Sequence, residues 1–156
     1  MVIFEFSRLI GIILDPIILI VLALVIGIYL CFKNRKKDSI IFISMIFISG
    51  IFIKLLKDIV HRTRPINALI QESTFSMPSG HAAIAIVFFG FLAYLAVRKK
   101  SKKIKWLAAI IVAAIIVLIS FTRLYLGVHY ISDVVVGLIL GLVVLIGGII
   151  VSKRLS

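Results

Sequence analysis

The chain alternates long apolar runs with short charged or proline-containing breaks. Met1 to Leu14 is apolar apart from Glu5, Ser7 and Arg8, and it ends at Asp15-Pro16, a pair that reads as a helix start. This predicts a short helix lying in the membrane interface, the competing arrangement being one kinked helix from about Leu9 to Phe32. Ile17 to Phe32 is unbroken apolar sequence closed by Lys33-Asn34-Arg35-Lys36-Lys37, and it predicts a first spanning helix. At about 1.5 Å per residue that run is slightly short for a hydrocarbon layer of ~30 Å, so Ile10 to Leu14 are available to extend it. Ser39 to about Leu56, His81 to Val97, Ile104 to about Phe121 and Val134 to Val151 predict spans two to five. In the last of these, Gly137, Gly141, Gly147 and Gly148 are available for close helix approach. The expected fold is all-α, an integral membrane helical bundle of about five transmembrane helices plus a short N-terminal interfacial helix. It forms one domain over 1–156.

Composition sharpens the picture. With 63% hydrophobic residues and a mean hydropathy of +1.28, the chain is too apolar for a soluble core with a polar coat. The net charge of +12 raises nucleic acid as a partner, but the basic residues cluster between apolar runs rather than along one face, so none is expected. Cys31 is the single cysteine, which excludes an intrachain disulfide and a cysteine metal cage. The N-terminal run has no basic n-region and no small-residue cleavage site, so the hydrophobic segments are expected to stay in the mature protein. The ends after spans one, three and five carry twelve of the eighteen Lys and Arg, with Asp38 as their sole acid. The opposite face holds six cations and five acids, so the faces carry +11 and +1, together the +12 of the chain. The positive-inside rule makes the first face cytoplasmic and the second extracytoplasmic, in the cell membrane.

The second face carries the candidate chemistry. Pro78-Ser79-Gly80-His81 puts a helix start, whose free N–H groups attract an anion, directly before span three. An N-cap with a surface histidine is the plainer reading of that stretch alone. The end of span two and the connection before span five add Lys57, His61, Arg62, Arg64, Arg123, His129 and Asp133. Arginines and lysine beside a helix start suit a phosphate, whose oxygens they neutralise during phosphoryl transfer. His129 and Asp133 are four residues apart, so in a helical turn the carboxylate would hold one ring nitrogen and free the other to attack phosphorus. His81, on another segment, would protonate the leaving oxygen and later activate water. A metal site built from His61, His81, His129 and Asp133 is the rival, without an HExxH pattern to support it. His61 alone reads as an interfacial side chain or one that supports the site from behind.

Lys57 followed after six residues by Arg64-Pro65, then Pro78-Ser79-Gly80-His81, then Thr122-Arg123 with His129 and Asp133, resemble in order the three signature motifs of the type 2 phosphatidic acid phosphatase superfamily. That family also includes soluble acid phosphatases and vanadium haloperoxidases. The resemblance implies phosphate binding by Lys57, Arg64 and Arg123, with hydrogen bonds from Ser79 and Gly80. It further implies His129 as a nucleophile forming a phosphohistidine, Asp133 as its orienting partner, His81 as general acid, and no metal or other cofactor. Thr122 stands where the family usually has serine, and a small effect is expected. Membrane members commonly have six spans, whereas here the first motif ends span two, as if Met1 to Leu14 replaced one span.

These readings converge on a membrane phosphatase acting on a lipid phosphate or diphosphate. A polyprenyl diphosphate (undecaprenyl or dolichyl) ranks first because an outward site suits recycling of a glycan carrier. Phosphatidic acid and phosphatidylglycerophosphate follow, because the motifs recognise phosphate and not the tail. A phosphotransferase and a non-catalytic lipid-phosphate binder or transporter are the alternatives. The expected partners are the substrate and membrane lipids, and the sequence leaves a homodimer open.

Overall fold

The computed structural model describes residues 1–155, and its regular structure is entirely helical: α1 (Val2–Ile13), α2 (Pro16–Phe32), α3 (Lys36–Val60), α4 (Gly80–Val97), α5 (Lys102–Tyr125) and α6 (Ile131–Leu155). Asp15 caps α2 by accepting from the Ile17 N–H at 2.8 Å, and Pro16 occupies its first turn. Because a proline cannot donate to the preceding turn, α1 and α2 are separate helices bent by 41°. Helices α3, α4, α5 and α6 are each long and apolar enough to cross a membrane; α2, with 17 residues, joins them only when α1 and α2 count as one bent span. The chain is a multi-pass membrane protein with four to five spans. The N-terminal helix is present as expected, and it packs on α5 with Ser7 and Gly11 buried.

The helices run up to four residues beyond the apolar runs, and two of these boundaries bear on the site. Helix α5 runs past Phe121 to Tyr125, and α6 begins at Ile131. Arg123 and Asp133 therefore lie in helical turns rather than in a connection. Nothing in Thr122 to Tyr125 breaks a helix, and the break falls at Gly127, whose φ of +67° suits a residue without Cβ.

Helix α4 is the central element, with Ala82, Ala83, Ala85, Val87 and Phe91 buried, and it packs most extensively on α6. Lipid tails are as apolar as leucine, so hydrophobicity does not drive helices together; small residues and close backbone contact do. A Cβ at Gly141 would lie 2.6 Å from the Ala83 carbonyl, and one at Gly137 would lie 2.5 Å from that of Ser79. Gly148 is crowded by Met45 of α3, whereas Gly147 faces open space and serves no contact. The sequence pattern alone did not separate these glycines.

At the lysine-rich end of the bundle, Asp38 accepts from Arg35 Nε at 2.8 Å and from both Arg98 terminal nitrogens at 2.9 Å. Asp38 raises Arg98 above its ordinary value, first through these hydrogen bonds. A cavity of about 1080 Å³ opens there among Lys36, Lys37, Lys99, Lys105 and Lys153. It is larger than the about 660 Å³ cleft at the other end, lined by Lys57, Arg64, Glu72, Thr74 and Phe75. No histidine lines the larger cavity, so its size does not make it the reactive centre.

Gly141→Ala should force α4 and α6 apart and lower stability by about 1–3 kcal/mol, while Gly147→Ala should be neutral or slightly stabilising. Thermal unfolding midpoints in one detergent will check this, and equal midpoints for the two variants would contradict the packing account.

Candidate active site

The segment between α3 and α4 is organised by cations. Arg64 donates from Nε to the Thr74 carbonyl at 2.7 Å, from Nη1 to the Val128 carbonyl at 2.8 Å and from Nη2 to Thr74 Oγ1 at 3.1 Å. Lys57 reaches the same connection, donating to Thr74 Oγ1 at 3.1 Å and to the Phe75 carbonyl. Ser76, fully buried, fastens the base of the loop by donating from its N–H and Oγ to the Arg62 carbonyl. Satisfying five donors on one guanidinium takes several carbonyls, which is why a single arginine orders so much backbone.

Arg123 is 2% exposed in the last turn of α5. An unpaired charge buried this deeply would cost several kcal/mol, so a counter-ion is required. Glu72 supplies it: one carboxylate oxygen accepts from Arg123 Nη2 and the other from Arg64 Nη2, the latter at 3.3 Å. One carboxylate thus bridges two arginines as two oxygens of a phosphate would. Burial pulls Arg64 below its ordinary value, Glu72 opposes this and the Arg123 charge adds to it.

His129 sits in the turn before α6, 5% exposed, with Nδ1 3.6 Å from Asp133 Oδ2. The pair is close although His129 precedes the helix, so the chain turn and not helical periodicity brings it together. Asp133 is fully buried and held twice: Oδ1 accepts from Arg62 Nη1 at 2.9 Å and Oδ2 from the Tyr130 N–H at 2.9 Å. Burial, then the charges of Arg64, Arg123, Lys57 and His81, push His129 down from 6.5 to about 2. Its imidazole is therefore neutral at physiological pH, with a lone pair available.

His81, 6% exposed, opens α4 beside Ser79 and Gly80. The Ser79 N–H donates to the Asp133 carbonyl at 2.9 Å, so the backbone hydrogen bond expected from Ser79 toward a ligand is already in use. Its hydroxyl neither caps α4 nor has another partner, and Arg123 Nε and His129 Nδ1 are likewise buried without partners. Gly80 begins the helix, where N–H groups lack intrahelical acceptors. The Thr122 hydroxyl donates to the Ile119 carbonyl at 2.7 Å. His61 ends α3 in a left-handed conformation, stacked edge-on to Phe75 at 4.6 Å. Among the described residues, no three His, Cys, Asp or Glu side chains are grouped so as to hold a metal.

Sequence reasoning placed Arg62 and Glu72 on the correct face without giving them partners. Arg62 also lies 4.1 Å above the Tyr130 ring. The available signal was that a buried aspartate requires a cation, and Arg62 remained once Lys57, Arg64 and Arg123 were committed to phosphate.

Residues 38–155 match the model of the PAP2 superfamily. The chain belongs to the PAP2 superfamily. It is 35% identical over 130 residues to phosphatidylglycerophosphatase B of Bacillus subtilis, covering 80% of this chain and 63% of that protein. It is 32% identical over 124 residues to an undecaprenyl-diphosphatase of Sulfolobus acidocaldarius, covering 75% and 56% respectively. The chain thus spans less than two thirds of these relatives' length. A solved transmembrane PAP2-type phosphatidylglycerolphosphate phosphatase from Bacillus subtilis superposes with a TM-score of 0.88 at 30% identity, covering 98% of this chain and 78% of that one. In this PAP2 chain the three motifs meet at one end of the bundle, and the N-terminal bend lies against them.

Because the His129 pKa is lowered to about 2, its ring should not titrate between pH 5 and 8. Ring ¹⁵N resonances, assigned by difference from His129→Asn, will check this, and a midpoint near 6.5 would show that the surrounding charges do not act on it.

Proposed function

We propose that the chain is a metal-independent membrane phosphatase that hydrolyses a lipid phosphate or diphosphate through a phosphohistidine on His129. The observation that carries this reading is a neutral, buried His129 backed by Asp133 and surrounded by Lys57, Arg64 and Arg123. Phosphate oxygens take the place of the Glu72 carboxylate between the two arginines, with Lys57 adding a third charge. Asp133 Oδ2, 3.6 Å from Nδ1 of His129, closes onto Nδ1–H as phosphate binds, and Nε2 attacks phosphorus. The P–O bond to the lipid breaks, and His81 gives its proton to the leaving oxygen. Water then loses a proton to His81 and displaces phosphate from His129.

A lipid substrate is supported by the surroundings of the cleft. It runs from Lys57 and Arg64 down α3 to Ile53 and Gly50, and an apolar groove of about 570 Å³ between α2 and α3 begins at the same Gly50 and Lys54. A headgroup in the cleft would then have its tail in the groove, one beyond the other along α3. The charge asymmetry supports an extracytoplasmic site, and that side favours a polyprenyl diphosphate carrier as first substrate. Phosphatidylglycerophosphate is the second reading, favoured by the name of the 35% identical relative.

Phosphate release should be seen from a panel of polyprenyl diphosphate, phosphatidic acid and phosphatidylglycerophosphate in EDTA, and His129→Ala should fall to the blank. Release from none of them would end the phosphatase reading, loss in EDTA would revive a metal site at His61, His81, His129 and Asp133, and preference for glycerophospholipids would reverse the substrate order. Arg62→Gln should lower turnover about 10–100-fold by freeing Asp133 from a charge-assisted hydrogen bond. Unchanged kcat in that variant would show that Arg62 does not position the carboxylate.

A further inference from the structure

The bent N-terminal segment reaches the site. His81 Nε2 lies 3.1 Å from the Gly11 carbonyl oxygen and 3.9 Å from Asp15 Oδ2. A carbonyl oxygen can only accept, so the hydrogen bond requires the proton on Nε2. That leaves Nδ1 as the ring nitrogen free to exchange a proton with a substrate.

The contact depends on the residue at position 11. A Cβ there would lie 2.7 Å from Arg123 Nη1, closer than side-chain carbons come, so with any other residue at position 11 the buried guanidinium would have to shift for α1 to lie this close to α5. Ser7, one turn earlier, is also fully buried, while Phe6, Leu9, Ile12 and Ile13 point outward. The small face of α1 is thus turned to the bundle. Asp15 divides its carboxylate, with Oδ1 capping α2 and Oδ2 facing His81. Pro16 packs beside Gly80, a Cβ on which would lie 3.6 Å from Pro16 Cγ. The break between α1 and α2 is thereby fixed against the start of α4, where His81 sits.

We infer that Gly11 and Asp15 are positioning residues for His81: the Gly11 carbonyl holds Nε2–H, Asp15 supports the imidazolium, and Nδ1 delivers the proton to the leaving oxygen. This rests on the phosphatase reading above. In the first step the P–O bond to the leaving group breaks as His129 Nε2 bonds to phosphorus, and the proton passes from His81 Nδ1 to that oxygen. In the second, Nδ1 takes a proton from water, the water oxygen bonds to phosphorus and the P–N bond breaks. Nε2–H stays on Gly11 throughout. The two histidines are then oriented from opposite nitrogens, His129 with Asp133 Oδ2 3.6 Å from Nδ1 and His81 at Nε2 by the Gly11 carbonyl, and each keeps its other nitrogen for phosphate.

The test is the dependence on leaving group in the full chain. An alkoxide needs its proton as the bond breaks, whereas p-nitrophenolate does not. Asp15→Asn, which keeps the cap on α2, should lower kcat about tenfold on a short alkyl phosphate and less than about twofold on p-nitrophenyl phosphate. Gly11→Ala should show the same selective loss with added weakening of phosphate binding through Arg123. Equal losses on both substrates, or no loss on either, would overturn the inference. A wild type that hydrolyses neither substrate would count against the phosphatase reading, and a second measurement decides the positioning on its own. Ring ¹⁵N spectra, with His81 assigned by difference from His81→Asn, should show Nε2 protonated throughout, as the Nε2–H tautomer when the ring is neutral and with Nδ1 also protonated in the imidazolium that acts as acid. The Nε2 proton should shift in Gly11→Ala. The Nδ1–H tautomer would refute the proposed geometry.

Discussion

A guanidinium buried at the end of a lipid-facing helix is the constraint on which this site depends. Most of α5 faces outward, and its few buried residues are Ile119, Ser120, Thr122 and Arg123 in the last turns. Leaving Arg123 without an anion there would cost several kcal/mol, a large part of the stability of a chain this size. Glu72 offsets that cost, and since it belongs to the α3–α4 connection, the whole loop is drawn over the bundle end. The same carboxylate engages Arg64, and Arg64 donates to the carbonyl of Val128, the residue before His129. One carboxylate therefore couples Arg64 and Arg123 to the backbone beside His129.

The electrostatic consequence falls on His129. Cations assembled to hold an anion also suppress protonation of the imidazole among them, so the arrangement that suits an anion keeps the His129 ring neutral. His81 stands nearby in a different setting, with a carbonyl and a carboxylate at one ring nitrogen. Two identical side chains in unlike surroundings can take complementary parts in proton and phosphoryl transfer. The close packing of α4 on α6 sets their separation, because it brings the Ser79 N–H to the Asp133 carbonyl.

Much of this was legible in the residues. The apolar runs gave the helices from α2 to α6 to within a few residues, since a bilayer offers no water to unpaired backbone groups and hydrophobic length must match its thickness. The motif residues Lys57, Arg64, His81, Arg123, His129 and Asp133 were found by type and spacing, and they do gather at one end of the bundle. The boundaries around Arg123 and Asp133 were misplaced because polarity was read as a connection, whereas a helix continues through polar residues until something such as Gly127 stops it.

What the sequence determined by itself was therefore the set of helices, the asymmetry of charge between the two ends and the membership of the motif cluster, all properties of local composition and spacing. The tertiary structure decided which groups hold them. Arg62 meets Asp133 across 71 residues, Glu72 meets Arg123 across 51 and Gly11 meets His81 across 70. A pairing over such separations depends on how closely helices approach and where a bend falls. Gly11 shows this most directly: its residue type marked only an absent side chain, and its carbonyl acquired a role once α1 lay against α5 with His81 within reach.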